Sequence, residues 1–299
     1  MLTLPNLQQN VTIAPFTTYQ IGGPADYFFE AKSAEELKLA VLAAREEQIP
    51  YFILGTGANI LMSDKGFRGL VIRNNAEHAR TEGTTVTAES GATIAQLIEL
   101  TANLGLSGLE HYAGIPSTVG GAIWQNLHFL SPDRQSTKFI EEIVEHADVL
   151  MQDNSVKRVT CDFFQFGYDD SRLHHEEIIV LSVCFKLTQA DESDIRHQVS
   201  ENLKWRWEKQ PQLEEFPSCG SVFKKIEGAG AGRLIEQVGL KGHQIGGIQS
   251  SPLHANFLVN VGGGTAADVR SLINLIQETV REKTGYLLET EIRMIGQWD

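Results

Sequence analysis

The stretch Gly55-Thr56-Gly57-Ala58-Asn59 comes directly after an apolar run, Tyr51 to Leu54, that predicts a short buried strand. Glycine has no Cβ atom, so the backbone of such a stretch can approach a ligand closely and direct N–H groups at it. A pyrophosphate is the kind of group that accepts those N–H groups. The stretch therefore predicts a loop that cradles a phosphate-bearing cofactor.

A dinucleotide-binding site of the Rossmann type does not fit this loop. The third glycine of that fingerprint would fall at position 60, which is Ile60. The next apolar run, Leu70 to Ile72, follows too soon for a crossover helix to lie between the two strands. The sequence therefore predicts a strand–loop–strand arrangement.

A second glycine-rich segment, Gly114 to Ala122, strengthens the case for a cofactor. Either segment alone is better explained by tight turns, but two of them together predict a two-loop site for a cofactor that carries a pyrophosphate. The candidate cofactor-binding residues are Gly55, Thr56, Gly57, Ala58, Asn59, Ile115, Pro116, Ser117, Thr118, Gly120, Gly121 and Ala122.

Composition and charge limit the function further. The chain has 299 residues, 42% of them hydrophobic, and a net charge of −13. This charge opposes a broad contact with nucleic acid or anionic lipid. The N-terminal residues do not resemble a signal peptide, and Ile178 to Phe185, the longest apolar run, is too short to span a bilayer. We expect a cytoplasmic enzyme with free thiols at Cys161, Cys184 and Cys219.

Hydrophobic periodicity predicts an α+β fold. Ser33 and Glu36 have capping-box spacing before a helix, and the last helix spans about 266–283. Another helix carries Ile94, Leu97, Ile98 and Leu104 and stops at Gly105, and a final strand spans 287–295. The polar stretch 188–194 predicts a boundary between an N-terminal cofactor domain and a C-terminal domain.

Several motifs together resemble the UDP-N-acetylenolpyruvoylglucosamine reductases, the MurB flavoenzyme family, over nearly the full chain. Besides the two glycine segments, they occupy residues 17–26, 108–110, 210–211, 217–224, 232–236, 254–260 and 288–293.

The resemblance implies an FAD-binding domain of the vanillyl-alcohol-oxidase (PCMH) type at 1–192, with subdomains at about 1–73 and 74–192, and a substrate domain at 193–299. It implies non-covalent FAD, NADPH as co-substrate and a UDP-sugar as substrate. The reaction would belong to peptidoglycan precursor synthesis, and so to cell wall biogenesis, cell shape and cell division. We expect a monomer with no nucleic-acid or membrane partner.

The resemblance also implies the site residues. Ser221 would donate a proton to the substrate carbon, and Glu291 would assist the enol intermediate; by pattern alone they are a turn residue and a solvated strand residue. Tyr168 would contact the substrate. Lys209 would lie near the UDP moiety, with a surface ion pair as the alternative.

Two segments depart from the family pattern. Where the family has Tyr-Arg-x-Ser, with an arginine that holds the substrate carboxylate, this chain has Tyr168-Asp169-Asp170-Ser171. Arg172 could compensate, but on a strand it would point away from the face of position 169. Where Met-Asn-Ala-Gly is common, this chain has larger residues between Trp124 and Phe129. A different substrate, or binding without turnover, therefore stays open as an alternative.

Overall fold

The computed structural model describes residues 2–131, 135–226 and 228–298. The chain forms two compact units, each built from several stretches of sequence. The first consists of Met1–Asn6, Phe29–Gly55 and Ile72–Arg206, and the second of Leu7–Phe28, Thr56–Val71 and Trp207–Asp299. The domain limits near residues 73 and 192 stay a prediction.

The mixture of helices and strands confirms the predicted α+β class. The α-helices are α1 (Ala34–Glu46), α2 (Ile94–Ala102), α3 (Val119–Gln125), α4 (Glu192–Lys209), α5 (Ala231–Gln237) and α6 (Ala266–Thr284). None of the described helices is long and apolar enough to cross a bilayer.

The strands are short and numerous. In the first half of the chain they are β1 (Gln8–Thr12), β2 (Pro24–Ala31), β3 (Tyr51–Leu54), β4 (Ile60–Met62), β5 (Phe67–Asn74), β6 (Ala79–Glu82), β7 (Thr85–Glu89), β8 (Leu106–Ser107) and β9 (His128–Leu130). They continue as β10 (Thr137–Phe139), β11 (Val144–Leu150), β12 (Val156–Thr160), β13 (Ile179–Lys186), β14 (Thr188–Gln189), β15 (Gln244–Ile245), β16 (Ile248–Ser250), β17 (Leu258–Asn260) and β18 (Arg293–Ile295).

A five-stranded sheet with the order β12-β11-β13-β7-β6 supports the first unit. Val86 and Ala88 are buried and alternate with half-buried residues along β7, as expected for a strand with one face against a core. Val183 and Phe185 extend the same core from β13, and Val119 joins it from α3. A second sheet, with the order β1-β2-β5-β3, contains β3, after which the first glycine segment begins.

The second unit has its own core, to which α6 contributes one face. That face is the predicted one and comprises Val269, Leu272, Ile273, Ile276 and Val280. Tyr19 is fully buried in this core, and its hydroxyl donates to the carbonyl oxygen of Leu258 at 2.7 Å. Gly285, with φ +77°, ends the helix as predicted.

Two predicted elements are wrong in their extent. Helix α2 ends at Ala102, and Leu104 is 45% exposed beyond it, so Leu104 is not part of the helix's buried face. The final strand covers only Arg293–Ile295 instead of 287–295. Residues 289–291 instead pair with residues 222–224 through one isolated bridge and its flanking bonds, which do not form a regular strand.

Helix α1 begins where the sequence predicts, with one difference in its cap. Ser33 Oγ accepts the N–H of Glu36 at 3.2 Å, as in a capping box. The carboxylate of Glu36, however, accepts the N–H of Lys32 at 2.7 Å. Both bonds satisfy donors at the start of the helix.

Asp64 provides an unusual cap for α6 within the second unit. Its carboxylate oxygens accept the N–H groups of Ala266 at 2.8 Å and Ala267 at 3.0 Å. The first N–H groups of a helix have no partner inside the helix, and a negative charge there is stabilised by the helix dipole. Asp64 therefore connects the loop before β5 to the start of α6.

Replacing Asp64 by Ala should lower the free energy of unfolding by about 1–2 kcal/mol, because two helix N–H groups lose their acceptor. Denaturant unfolding followed by circular dichroism measures this change. Glu214→Ala, which removes an exposed carboxylate from a turn of the same unit, is the matched control. Equal unfolding midpoints for the two variants would contradict the capping role.

Candidate flavin-binding and active-site residues

Gly55 and Gly57 lie where a side chain would collide with its neighbours. A Cβ atom on Gly55 would lie 2.8 Å from Thr118 Oγ1, in the second glycine segment. A Cβ atom on Gly57 would lie 2.7 Å from the Cα atom of Thr17, and Gly57 has φ +68°. Both positions therefore require glycine because neighbouring atoms leave no room for a Cβ atom. At Gly57 the left-handed backbone is a second reason.

The first glycine segment also has backbone donors to offer. Gly57 is buried, and its carbonyl oxygen accepts the hydroxyl of Thr18 at 3.2 Å. The N–H groups of Gly57 and Ala58, by contrast, donate to no other residue within the described ranges. Because buried N–H groups are almost always paired, these two fit a ligand that supplies acceptors. The segment therefore fits the pyrophosphate of FAD.

The second glycine segment differs from the expectation that it too directs N–H groups at a pyrophosphate. The N–H groups of Gly120 and Gly121 donate to Ser90 O at 2.8 Å and Thr118 Oγ1 at 3.2 Å, and that of Val119 also donates to a carbonyl oxygen. Gly121 is nevertheless exposed, so the segment presents a surface without a side chain. Contact with flavin stays a prediction here, as it does for Ile115, Pro116, Ser117, Thr118 and Ala122.

Ser221 lies in the second unit on a segment that is bonded to its neighbours. It follows Gly220, which has φ +80°, and it forms an isolated bridge with Phe257. The Asn256 side chain accepts the N–H of Phe223 at 3.0 Å and donates to the carbonyl oxygen of Phe223 at 2.9 Å. The half-buried hydroxyl of Ser221 is therefore carried by a fixed backbone.

Glu291 lies next to Ser221 in this arrangement. Its N–H donates to the carbonyl oxygen of Val222 at 2.8 Å, and Thr290 forms a bridge with Phe223. Glu291 is thus opposite Val222, one residue along from Ser221, and is half-buried. The structure pairs the backbone next to Ser221 with the backbone of Glu291, and Glu291 precedes the last strand instead of lying on it.

Two buried titratable groups of the second unit, Cys219 and Tyr19, have raised pKa values. Burial raises the pKa of the Cys219 thiol, and the negative charge of Glu291 raises it further. Burial likewise raises the pKa of Tyr19, which contacts Cys219. A neutral, buried thiol is a poor nucleophile, so Cys219 acts as a packing residue of the core.

Asp169, which occupies the family's arginine position, lies in the first unit and is turned inward. It has φ +53°, and its side chain is only 7% exposed. Its Oδ1 accepts a hydrogen bond from Gln125 Nε2 at 3.0 Å and lies 3.7 Å from His128 Nδ1. Gln125 and His128 belong to the other segment that departs from the family pattern, so the two departures are in contact.

His128 is held between aromatic rings at this place. Its Nδ1 donates to the carbonyl oxygen of Asn126 at 3.2 Å, and its ring centroid lies 4.6 Å from that of Tyr168 and 5.2 Å from that of Phe139. The side chain is 19% exposed, and Nε2 has no partner among the residues that the structure describes. His128 and Gln125 were not predicted as site residues; the only signal was larger polar residues where the family has small ones.

Arg172, the residue that could compensate for the missing arginine, makes two contacts within the first unit. Residues 167–170 form a turn, and Arg172 begins the 3-10 helix Arg172–His174. Its guanidinium pairs with Glu176 at 2.7 Å and lies over the ring of Phe163 at 4.5 Å. Both contacts hold it in the wall of the first unit.

The two predicted substrate-binding residues are both exposed. Tyr168 is 50% exposed beside His128 in the first unit. Lys209 is the last residue of α4 and forms no ion pair with any residue in the described ranges, so the surface ion pair proposed as its alternative is not observed. A contact with substrate stays a prediction for both.

Replacing Gly57 by Ala should destabilise the protein more than a glycine substitution without a steric clash. Gly242→Ala is the matched control, because Gly242 has φ +79° but nothing lies within 4 Å of the position that its Cβ atom would take. Left-handed backbone costs alanine about 1–2 kcal/mol in both variants, and overpacking adds about 1–3 kcal/mol for Gly57 alone. Urea unfolding compares the two, and equal losses would contradict the close approach at Thr17.

Two family models match separate parts of the chain. Residues 25–160 match the family model described as FAD binding domain. Residues 210–295 match the model described as UDP-N-acetylenolpyruvoylglucosamine reductase, C-terminal domain. These matches confirm the predicted order of an FAD-binding domain followed by a MurB-like domain.

Individual relatives and a solved structure resemble nearly the whole chain. The UDP-N-acetylenolpyruvoylglucosamine reductase of Pediococcus pentosaceus is 39% identical over 95% of this chain and 93% of its own length. That of Halalkalibacterium halodurans is 37% identical over 99% and 96%. The crystal structure of the MurB enzyme from Thermus caldophilus aligns with a TM-score of 0.78 at 31% identity, covering 95% of this chain and 97% of that one. The chain therefore belongs to the UDP-N-acetylenolpyruvoylglucosamine reductase (MurB) family.

Proposed function

We propose that this protein converts UDP-N-acetylglucosamine enolpyruvate to UDP-N-acetylmuramate with NADPH, in the cytoplasmic synthesis of peptidoglycan precursors that cell shape and division require. The observation that carries the proposal is the pairing of the Ser221 and Glu291 segments inside the part of the chain that matches the family's C-terminal domain. The proposed partners are the UDP-sugar and NADPH, bound by a monomer.

The Gly55–Asn59 segment would hold the pyrophosphate of FAD, with the N–H groups of Gly57 and Ala58 as donors. Residues 115–122 would lie against the cofactor through their exposed glycine surface. The chemistry that bound FAD supplies is the transfer of hydride from NADPH to the terminal vinyl carbon of the substrate.

Ser221 and Glu291 would stabilise the negative charge that this transfer creates and deliver the proton that the product needs. Hydride addition leaves negative charge on the adjacent carbon and its carboxylate, and that carbon must then gain a proton. Ser221 Oγ–H would donate the proton. A serine hydroxyl is a weak acid, so Glu291, one position away across the paired segments, would support the transfer.

His128 would contact the substrate carboxylate that the family binds with arginine. Asp169 would repel the substrate carboxylate, but its charge is already directed at Gln125 and His128. His128 Nδ1 lies 3.7 Å from Asp169 Oδ1, and Nε2 on the other side of the ring would face a carboxylate oxygen of the substrate. Tyr168 would orient the imidazole ring, and Lys209 would contact the diphosphate.

The purified protein should be yellow with FAD that survives desalting, and it should oxidise NADPH only when UDP-N-acetylglucosamine enolpyruvate is present. A protein that cannot be reconstituted with FAD would contradict the proposed function. So would NADPH oxidation that is indifferent to this substrate.

Within that assay, Ser221→Ala should leave flavin reduction by NADPH near the wild-type rate and slow flavin reoxidation by substrate about 10²- to 10⁴-fold, as expected for loss of an acid. Stopped-flow absorbance measures the two half-reactions separately. Ser271→Ala on α6 is the control and should leave both unchanged. Normal reoxidation in Ser221→Ala would refute the proton-donor role alone.

Replacing His128 by Asn should raise KM for the UDP-sugar about 10- to 100-fold, because a hydrogen bond to a charged group is lost. Asparagine keeps a donor near the Nδ1 position, so the bond to Asn126 can persist. The rate of flavin reduction by NADPH should not change. His78→Asn, at an exposed histidine of the same unit, is the control. An unchanged KM with full activity would exclude His128 and leave the reductase function intact.

A further inference from the structure

A compact group of three different ligand-type side chains lies on the five-stranded sheet of the first unit and includes none of the candidate flavin-binding or substrate-binding residues. The group consists of Glu145 and His146 on β11 and Cys184 on β13. His146 and Cys184 are directly opposite each other in the antiparallel pair. Their ligand atoms and a carboxylate oxygen of Glu145 all lie within 4.8 Å of one another.

An irregularity in the strand brings Glu145 into the group. Neighbouring residues of a regular strand point to opposite faces, so Glu145 and His146 would normally diverge. The register of β11 against β13 shifts between Val144 and His146, which leaves Glu145 as the extra residue of a bulge. Its Oε2 consequently lies 3.6 Å from His146 Nδ1 and accepts the Cys184 thiol at 3.4 Å.

We propose that Glu145, His146 and Cys184 bind one Zn²⁺ ion, with the fourth coordination position open to water. In a tetrahedral zinc site the ligand atoms lie roughly 3.3–3.6 Å apart, given zinc bonds of about 2.0–2.3 Å. The distances from Glu145 Oε2 to Cys184 Sγ and to His146 Nδ1, 3.4 and 3.6 Å, agree with this value, and no pair of ligand atoms exceeds 4.8 Å, so small side-chain movements suffice. A thiolate, an imidazole and a carboxylate suit zinc, whereas Mg²⁺ and Ca²⁺ prefer oxygen ligands alone.

Access and charge around the group are compatible with an ion. Glu145 is exposed and His146 is half-buried, so the group opens to solvent, while Cys184 forms its buried end. Asp148, the next acidic residue along β11, is paired with Arg158 through two bonds of 2.9 Å and does not compete. Thr87 lies opposite Cys184 on the other side.

Zinc binding should release a proton from Cys184. Burial raises the pKa of this thiol, and its hydrogen bond to the Glu145 carboxylate raises it further, while Thr87 opposes the shift. The thiol is therefore protonated at neutral pH in the absence of metal, and binding exchanges its proton for the ion: R–SH + Zn²⁺ gives R–S–Zn⁺ + H⁺. Asp148 and Arg158 neutralise each other nearby.

Calorimetric titration of the FAD-loaded protein with Zn²⁺ tests the site. We expect one ion per chain and a heat that depends on the buffer's protonation enthalpy, which reports the released proton. Co²⁺ in place of zinc should give tetrahedral d–d bands at wavelengths beyond flavin absorption.

Substitutions locate the ion. Cys184→Ser should abolish the one-to-one binding, and His146→Gln and Glu145→Gln should each weaken it at least about tenfold. Cys161→Ser, at another free thiol of the same unit, is the matched control and should bind normally. Zn²⁺ should raise the melting temperature of the wild type and of Cys161→Ser but not of Cys184→Ser. Absence of one-to-one binding, or binding that survives in Cys184→Ser, would overturn the proposal.

Discussion

The backbone bonds on both sides of residues 221–224 are the constraint on which the second unit's site depends. Val222 donates its N–H to Asn256 at 2.9 Å and accepts the N–H of Glu291 at 2.8 Å. On one side Ser221 forms an isolated bridge with Phe257, and on the other side Phe223 forms one with Thr290. The side-chain amide of Asn256 adds two hydrogen bonds to the backbone of Phe223, as a longer strand pair would. These bonds fix the backbone of the two segments that carry Ser221 and Glu291, the candidate catalytic residues.

Asp169 stands where the family has arginine, and its neighbours Gln125 and His128 also differ from the family pattern. A buried carboxylate is costly unless it is hydrogen-bonded or paired. Gln125 supplies the hydrogen bond, and His128 Nδ1 lies 3.7 Å from the same carboxylate oxygen. In a chain with a net charge of −13, a substrate with a carboxylate and a diphosphate needs local cations. The inward turn at Asp169 directs its carboxylate at Gln125 and His128 within the first unit.

Hydrophobic period and capping chemistry were sufficient to predict much of the fold. Helix α6, with Val269 and Ile276 on its buried face and Gly285 at its end, follows from local rules that the tertiary structure does not override. The predictions for Leu104 and for the final strand were wrong because the surrounding structure ends each element earlier than the pattern suggests. Leu104 has the right spacing but lies beyond the end of α2, and residues 289–291 pair across to another segment instead of continuing β18.

The site was less predictable than the fold, because its residues are related by contacts that periodicity does not encode. Ser221 and Glu291 were identified only through family resemblance, since a turn serine and an alternating glutamate are ordinary by pattern. The contact between Gln125 and Asp169 joins residues 44 apart in sequence. It depends on left-handed backbone at Asn126 and Asp169, and neither position is a glycine that would have signalled it.

Departures from regular backbone therefore place several of the chemically important groups in this protein. The left-handed turn at Asp169 directs a carboxylate inward, the bulge at Glu145 turns another toward a neighbouring histidine, and left-handed Gly57 leaves N–H groups for an anion. Each departure breaks a periodic pattern at one residue while the flanking elements keep theirs. Periodicity in the sequence therefore predicts the flanking helices and strands. It does not predict the contacts of the irregular residue, which only the structure gives.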